Sequence, residues 1–188
     1  MTILPLILLT LSAQGAGRWD DPSRVLVVYS TTYPDNDGDG VGDSIEVAEY
    51  YAQRRGIPAS NMLGLTISVS GFSYGNLTDF FNDVQTPVRW RLQVLGETTI
   101  DTLLFIHGIP YRVQTPQGPR SLDSCMATPY SLGTPANPVF SSFGDVNPYF
   151  EDTPTDGTDL GHFDHAVYKD QGKAMFLHAR LDGLDPQA

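Results

Sequence analysis

Arg24-Val-Leu-Val-Val-Tyr-Ser30 is followed, after an Asp- and Gly-rich interval, by Ser44-Ile-Glu-Val-Ala-Glu-Tyr-Tyr-Ala-Gln-Arg-Arg55. The first stretch is a continuous, Val-rich apolar run. Runs of that kind suit a strand buried on both faces, which is the situation in a parallel sheet covered by helices. The second stretch sets Ile45, Ala48 and Ala52 on one helical stripe, with Val47 and Tyr51 beside it. Gly56 supplies the left-handed backbone that ends a helix, and Pro58 blocks its continuation. The opening unit is therefore strand, loop, helix.

The alternation continues outward from there. Met62 to Ser68 reads as a second strand, and Thr99 to Ile106 as a third that ends in His107-Gly108-Ile109-Pro110. Between them Asn76 to Leu95 is helical in pattern, with Asn76 and Asp79 as a capping pair. Pro87 interrupts it and predicts two short helices or a kink. Leu122 to Tyr130 predicts a short helix, and Lys173 to Leu181 a fourth strand. The Pro-, Gly- and Asp-rich stretch 133–172 is a long loop, of a length that compact domains keep for function or leave partly disordered. Strands alternating with helices predict an α/β fold: a three-layer, mostly parallel, doubly wound sheet of the flavodoxin or caspase kind. Tyr50, Tyr51, Phe80, Phe81 and Trp90 fall in the helical segments and are expected to pack. A fourth strand with no covering helix after it would leave apolar surface wet, which predicts a chain incomplete at its C-terminus.

The chain has 188 residues, 40% of them hydrophobic, enough for one packed domain spanning 16–188. With 22 acidic and 11 basic residues its formal net charge is −11. Such a surface repels phosphate backbones and anionic lipid, which argues against nucleic acid and in favour of multivalent cations as partners. Cys125 is the single cysteine, so no internal disulfide can form. Ile3 to Leu11 is apolar but too short to span a bilayer, and small residues from Ser12 to Ala16 follow it. This pattern predicts a signal peptide over 1–15 and export to the periplasm, cell surface or exterior, although no Lys or Arg precedes the apolar run.

The interval between the first strand and helix reads Asp35-Asn-Asp-Gly-Asp-Gly-Val-Gly-Asp-Ser-Ile-Glu46. It fits the twelve-residue calcium loop D-x-D-x-D-G-x5-E at every specified position. Calcium takes six to eight hard oxygens at roughly 2.3–2.6 Å. Asp35, Asp37 and Asp39 would supply carboxylates from alternate positions, and Gly40 would permit the sharp turn. Val41 would give its main-chain carbonyl, Asp43 would bind directly or through water, and Glu46 would close the shell. The competing reading is an acidic turn in which Asp43 and Glu46 form a capping box for the helix. Position eight of the loop is Gly42, where paired EF-hands carry an apolar residue, and a strand rather than a helix precedes the loop. A solitary strand–loop–helix site follows, resembling the single calcium loops of dockerin-like and thrombospondin-type repeats.

Val25 to Ser30, Asp43-Ser44 and Val47 to Pro58 together resemble an uncharacterised family of exported bacterial proteins found in species with the exosortase sorting system. Pro87-Val88-Arg89, Gly108-Ile109-Pro110, Val113, Asp123-Ser124, Asn147-Pro148-Tyr149-Phe150 and Arg180-Leu181-Asp182-Gly183 extend the likeness over most of residues 24–183. The resemblance implies export, an α/β fold and a continuation beyond the Arg-Leu-Asp-Gly block. It implies no chemistry, although a surface polymer or surface protein is the partner class that such a location suggests. Relatives carry a shorter turn where this chain carries 35–46, which makes the calcium loop an insertion.

Three further groups bear on catalysis. His107-Gly108 after a buried strand resembles the caspase-like peptidases, in which imidazole takes a thiol proton to leave a nucleophilic thiolate. Here, however, Cys125 precedes the fourth strand instead of following it. His162-Phe163-Asp164-His165, with Asp159, could hold zinc but lacks a third strong ligand in register. Asp123, Ser124, Arg180 and Asp182 would stand at the carboxyl edge of the sheet, as a hydrolase site or as an ion pair that supports loops. No dinucleotide fingerprint or Walker loop occurs. The two functional readings are thus a calcium-braced exported protein without catalysis and an extracellular hydrolase.

Overall fold

The computed structural model describes residues 21–96, 98–130, 133–134, 137–138 and 176–181. The segment 1–15, expected to be a signal peptide, and Asp159, His162, Asp164, His165, Asp182 and most of the loop 133–172 lie outside the described residues. Four strands form one parallel sheet: β1 (Val25–Ser30), β2 (Met62–Leu65), β4 (Thr102–Ile106) and β9 (Leu177–Leu181), in the order β2-β1-β4-β9. β1 is hydrogen-bonded on both sides, with Val27 level with Met62 on one neighbour and with Leu104 on the other.

Side chains alternate across a strand, and the apolar run in β1 therefore feeds two cores. Val27, Leu104 and Ile106 pack with Ala48 and Ile57 beneath α1 (Asp43–Arg55). Leu26, Val28, Leu103 and Phe105 pack on the other face with Phe80, Phe81, Val84, Val88 and Leu92. Those residues belong to α2 (Leu77–Phe80) and α3 (Thr86–Leu95) and to the single π-helical turn Phe81–Gln85 that joins them. α4 (Leu122–Ala127) adds Leu122, Cys125 and Met126 to that core. Helices thus flank a parallel four-stranded sheet.

Helix α1 ends where the sequence indicates, with Gly56 at φ 68° and its N–H bonded to the Ala52 carbonyl. Asn76 caps α2 by accepting from the Asp79 N–H, and its amide donates to the Asp79 carboxylate. Pro87 does not split the segment into two helices. Instead, the wide turn 81–85 precedes it and keeps the helix continuous from 77 to 95. A π turn re-aims the main-chain bonds, and this accommodates a residue with no N–H to donate.

The second strand stops at Leu65, earlier than expected. The chain after it forms β3 (Ser73–Tyr74), which pairs in parallel with β5 (Arg112–Thr115); β5 pairs antiparallel with β6 (Gly118–Ser121). This small sheet was not legible in the sequence. β7 (Gly133–Thr134) and β8 (Asn137–Pro138) form a further two-stranded ladder.

Two aromatic expectations require correction. Tyr50 and Trp90 are 60% and 58% exposed. Both point off the outer faces of their helices, where guanidinium groups cover them: Arg54 lies 5.2 Å from the Tyr50 ring centre and Arg91 5.8 Å from Trp90. Phe80 and Phe81 are fully buried as expected.

Phe105 is wholly buried, with the His178 ring stacked at 5.8 Å and the Arg180 guanidinium 5.6 Å from its centre. Phe105→Ala is expected to cost about 3–5 kcal/mol in urea unfolding. Tyr50→Ala, by contrast, is expected to stay within about 0.5 kcal/mol of the parent.

Candidate metal centre and the carboxyl edge of the sheet

The acidic loop leaves β1 at Ser30 and enters α1 at Asp43, so it sits at the carboxyl edge of the sheet. Both ends are tied down. The Ser30 N–H donates to the Ser44 hydroxyl at 3.0 Å, and the Asp43 N–H donates to the Pro34 carbonyl. Between these ties the carboxylates fold the main chain around themselves. Asp35 accepts from the Gly38 and Gly40 N–H groups at 2.6 and 2.8 Å. Asp37 accepts from Asp39 N–H and Asp39 from Val41 N–H. Gly38 and Gly40 have φ of 82° and 100°, which lets the chain double back so tightly.

The result is convergence. Asp35, Asp37 and Asp39 each offer an oxygen within 4.8 Å of the others, and Asp37, Asp43 and Glu46 form a second such trio. Ligands held at 2.3–2.6 Å from one ion lie at most about 5 Å apart, so each trio has the span that one calcium ion requires. Asp37 belongs to both, so the two trios adjoin at that residue and together include the five carboxylates of the sequence pattern. The capping-box alternative is not the geometry observed. Gly42 is the N-cap of α1, and both oxygens of Asp43 accept from Asn36, at 2.9 Å from its N–H and 2.6 Å from its amide.

Gly42 also has a local reason. A Cβ at this position would lie 2.6 Å from the Tyr33 main-chain oxygen. The apolar residue that paired EF-hands carry at position eight therefore has no room here.

The electrostatics match the crowding. Hydrogen bonds from the Gly40 and Gly38 N–H groups hold Asp35 below the usual carboxylate range, and those from Asn36 do the same for Asp43. Glu46 is pushed up, first by desolvation, then by its side-chain hydrogen bonding with Asp39 and by the charges of Asp39, Asp37 and Asp43. Its Oε2 is buried and has no hydrogen-bond partner. Asp37 accepts a bond from Asp39 N–H, yet desolvation and the neighbouring Asp39 and Asp35 charges leave it raised overall.

The catalytic candidates are dispersed. Cys125 is wholly buried in the core of α4, and burial pushes its thiol up to about 11, so little thiolate forms at neutral pH. His107 meets Tyr33 edge-on at 4.5 Å, and no hydrogen bond joins it to Cys125. Arg180 and Asp123 do meet. The guanidinium donates to both Asp123 oxygens, at 2.7 and 3.2 Å, and to the Ile109 carbonyl at 2.8 Å. That arrangement ties the segment after β4 to α4 and β9. His178 was missed by the sequence analysis. It sits on β9, where burial pushes its imidazole down to about 4 against the pull of Asp123 and the Met126 main chain. A histidine inside an apolar strand gives no local signal of such an environment.

Comparison with protein-family models, curated proteins and solved structures gives no match to this chain. No helix among the described residues is long and apolar enough to cross a membrane.

Two outcomes follow for the metal-free protein. The raised Glu46 favours its protonated form in the fold, so it lowers stability as pH rises from the unfolded glutamate value of about 4.3 through its own higher one. In EDTA at neutral pH, Glu46→Gln is expected to melt higher than the parent, and the gap should close below about pH 4. Asp35 and Asp43 have the opposite sign: their contribution is present above the unfolded value and lost as pH falls through their depressed ones. Gly42→Ile, which restores the usual apolar residue, is expected to lower the melting temperature because of the clash with Tyr33.

Proposed function

We propose that residues 35–46 bind a single calcium ion that braces the carboxyl edge of an exported, doubly wound α/β domain of flavodoxin-like layering. The observation that carries this reading is the sharing of Asp37 by two carboxylate trios, which together contain every acidic residue specified by the loop pattern. Five carboxylates repel one another when no cation is present, and the buried, unpartnered Glu46 oxygen is an acceptor awaiting a positive charge. Val41 would add its carbonyl, as the spacing of the loop implies.

The role is structural rather than signalling. The loop stands alone between a strand and a helix, with no second loop to pair with among the described residues. Solitary extracellular sites bind at roughly 10⁻⁴ to 10⁻³ M, suited to the calcium levels outside cells. The apolar leader and the resemblance to exported bacterial proteins support that location, with a surface polymer or surface protein as partner. The buried, raised thiol of Cys125, with no hydrogen bond to His107, weighs against the thiol-hydrolase alternative.

Calorimetric titration with Ca²⁺ is expected to give one site, and Tb³⁺ luminescence sensitised by Tyr33 should be displaced by Ca²⁺. Asp37→Ala and Glu46→Ala should each abolish both signals. At a calcium concentration a hundred times the dissociation constant, binding to the folded state adds about 2.7 kcal/mol. For a chain of this size that should raise the melting temperature by about 5–10 °C. Absence of heat and of luminescence from the parent protein refutes the site.

A further inference from the structure

A cleft of about 480 Å³ opens at the same carboxyl edge, between the segments that follow β1, β2 and β4. The chain runs from β1 outward to β2 and then crosses back to β4 on the other side, so the strand order reverses between β1 and β4. Crevices at such reversals are the usual ligand sites of open parallel sheets. The volume lies in the range of small-molecule pockets, about 300–1,000 Å³.

The lining is distinctive in its chemistry. Ser70 and Phe72 line it from exposed positions, Tyr33 lines it from against Gly108, and the Thr32 and Ser68 hydroxyls donate within the protein, to the Ile67 carbonyl and the Asp83 carboxylate. No charged side chain lines it among the described residues, in a chain of net charge −11. An ionic ligand would find no counter-charge there. Phe72, which lines the cleft, stacks with Tyr111 just outside the lining at 5.7 Å and 23°, and the two residues are 59% and 52% exposed. Their spacing is fixed by the main chain. The Tyr111 N–H donates to the Phe72 carbonyl at 3.1 Å, and the next residues, Ser73 and Arg112, pair in β3 and β5. The opposite wall is equally set. Gly108 has φ 94°, and any Cβ there would lie 2.7 Å from the Tyr33 ring, so the bare glycine lets Tyr33 stand against the backbone.

A braced, exposed aromatic ring beside an uncharged hydroxyl matches a ligand that has an apolar face and a rim of hydroxyl groups. Sugar rings have that character: their C–H faces lie on aromatic rings and their hydroxyls exchange hydrogen bonds with Ser and Thr. We propose that this cleft binds a neutral saccharide, with the exposed Phe72 ring, braced by Tyr111, as the stacking surface and Ser70 as the hydrogen-bonding side. Preorganised aromatics lose little entropy on binding, which favours recognition at such a small site. The proposal stands on the cleft's own residues and does not require the calcium loop to be filled.

The test is calorimetric titration of the protein with cellohexaose, maltohexaose, mannohexaose and chitohexaose, with hexagalacturonate as the anionic comparison. The expected result is a saturable isotherm with at least one neutral hexaose and none with hexagalacturonate. Phe72→Ala and Tyr111→Ala, both at exposed positions, should each weaken binding about tenfold while melting temperature and Ca²⁺ titration stay unchanged. Ser70→Asp, which places a carboxylate in the cleft from an exposed position, should abolish binding. The proposal is overturned if none of the four neutral hexaoses binds, if the Phe72/Tyr111 double variant binds as well as the parent, or if hexagalacturonate binds equally. The parallel Ca²⁺ titration separates this failure from failure of the metal site.

Discussion

β1 is the element on which the rest of the molecule depends. Its main chain is paired on both edges, to β2 and to β4, and its side chains are buried on both faces. Leu26, Val27, Val28 and Ser30 are buried, and their neighbours are supplied by the fold: two strands beside them, α1 below and the α2–α3 helix above. The Arg24 guanidinium and the Asp101 carboxylate lock the start of β1 against the start of β4, and Asp101 N–H donates to the Arg24 carbonyl. The register of the sheet, and with it the arrangement of the loops at its far end, follows from these contacts.

At that far end the energetic character changes from apolar burial to charge. The loop 35–46 gathers five carboxylates because their nearest available donors are the loop's own N–H groups, and Asx-type bonds to those groups wind the chain inward. Winding inward sets the acidic groups against one another. The opposite displacements of Asp35 and Asp43 on one side, and of Asp37 and Glu46 on the other, record that conflict. A hard divalent cation at the centre would resolve it, which is the physical content of the calcium proposal.

The loop and the cleft share a boundary. Tyr33 and Pro34 line the cleft, and the next residue is Asp35. The Pro34 carbonyl accepts from Asp43 N–H, and the Tyr33 main-chain oxygen leaves no space for a side chain at position 42. Order in the acidic loop therefore bears directly on one wall of the cleft. On the other side, the Arg180–Asp123 pair holds Ile109 in place and so steadies the segment that carries Gly108 and Pro110. Arg180, a candidate of the sequence reading, makes with Asp123 the contacts of a loop support.

The amino-acid sequence by itself determined the parallel α/β character, through the uninterrupted apolar runs of β1 and β4, and it determined the composition and spacing of the acidic loop. Both are local properties: a buried strand needs consecutive apolar residues, and a calcium loop needs oxygens at fixed intervals. Tertiary structure alone decided the rest. Whether Tyr50 and Trp90 face the core depends on which side of each helix meets the sheet. The pairing of Phe72 with Tyr111, 39 residues apart by their numbers in the chain, depends on β3 finding β5, two short segments with no periodicity of their own. The burial of Cys125 depends on α4 turning its thiol into the core. Each of these arises from contacts between distant parts of the chain, and no window of sequence contains both partners.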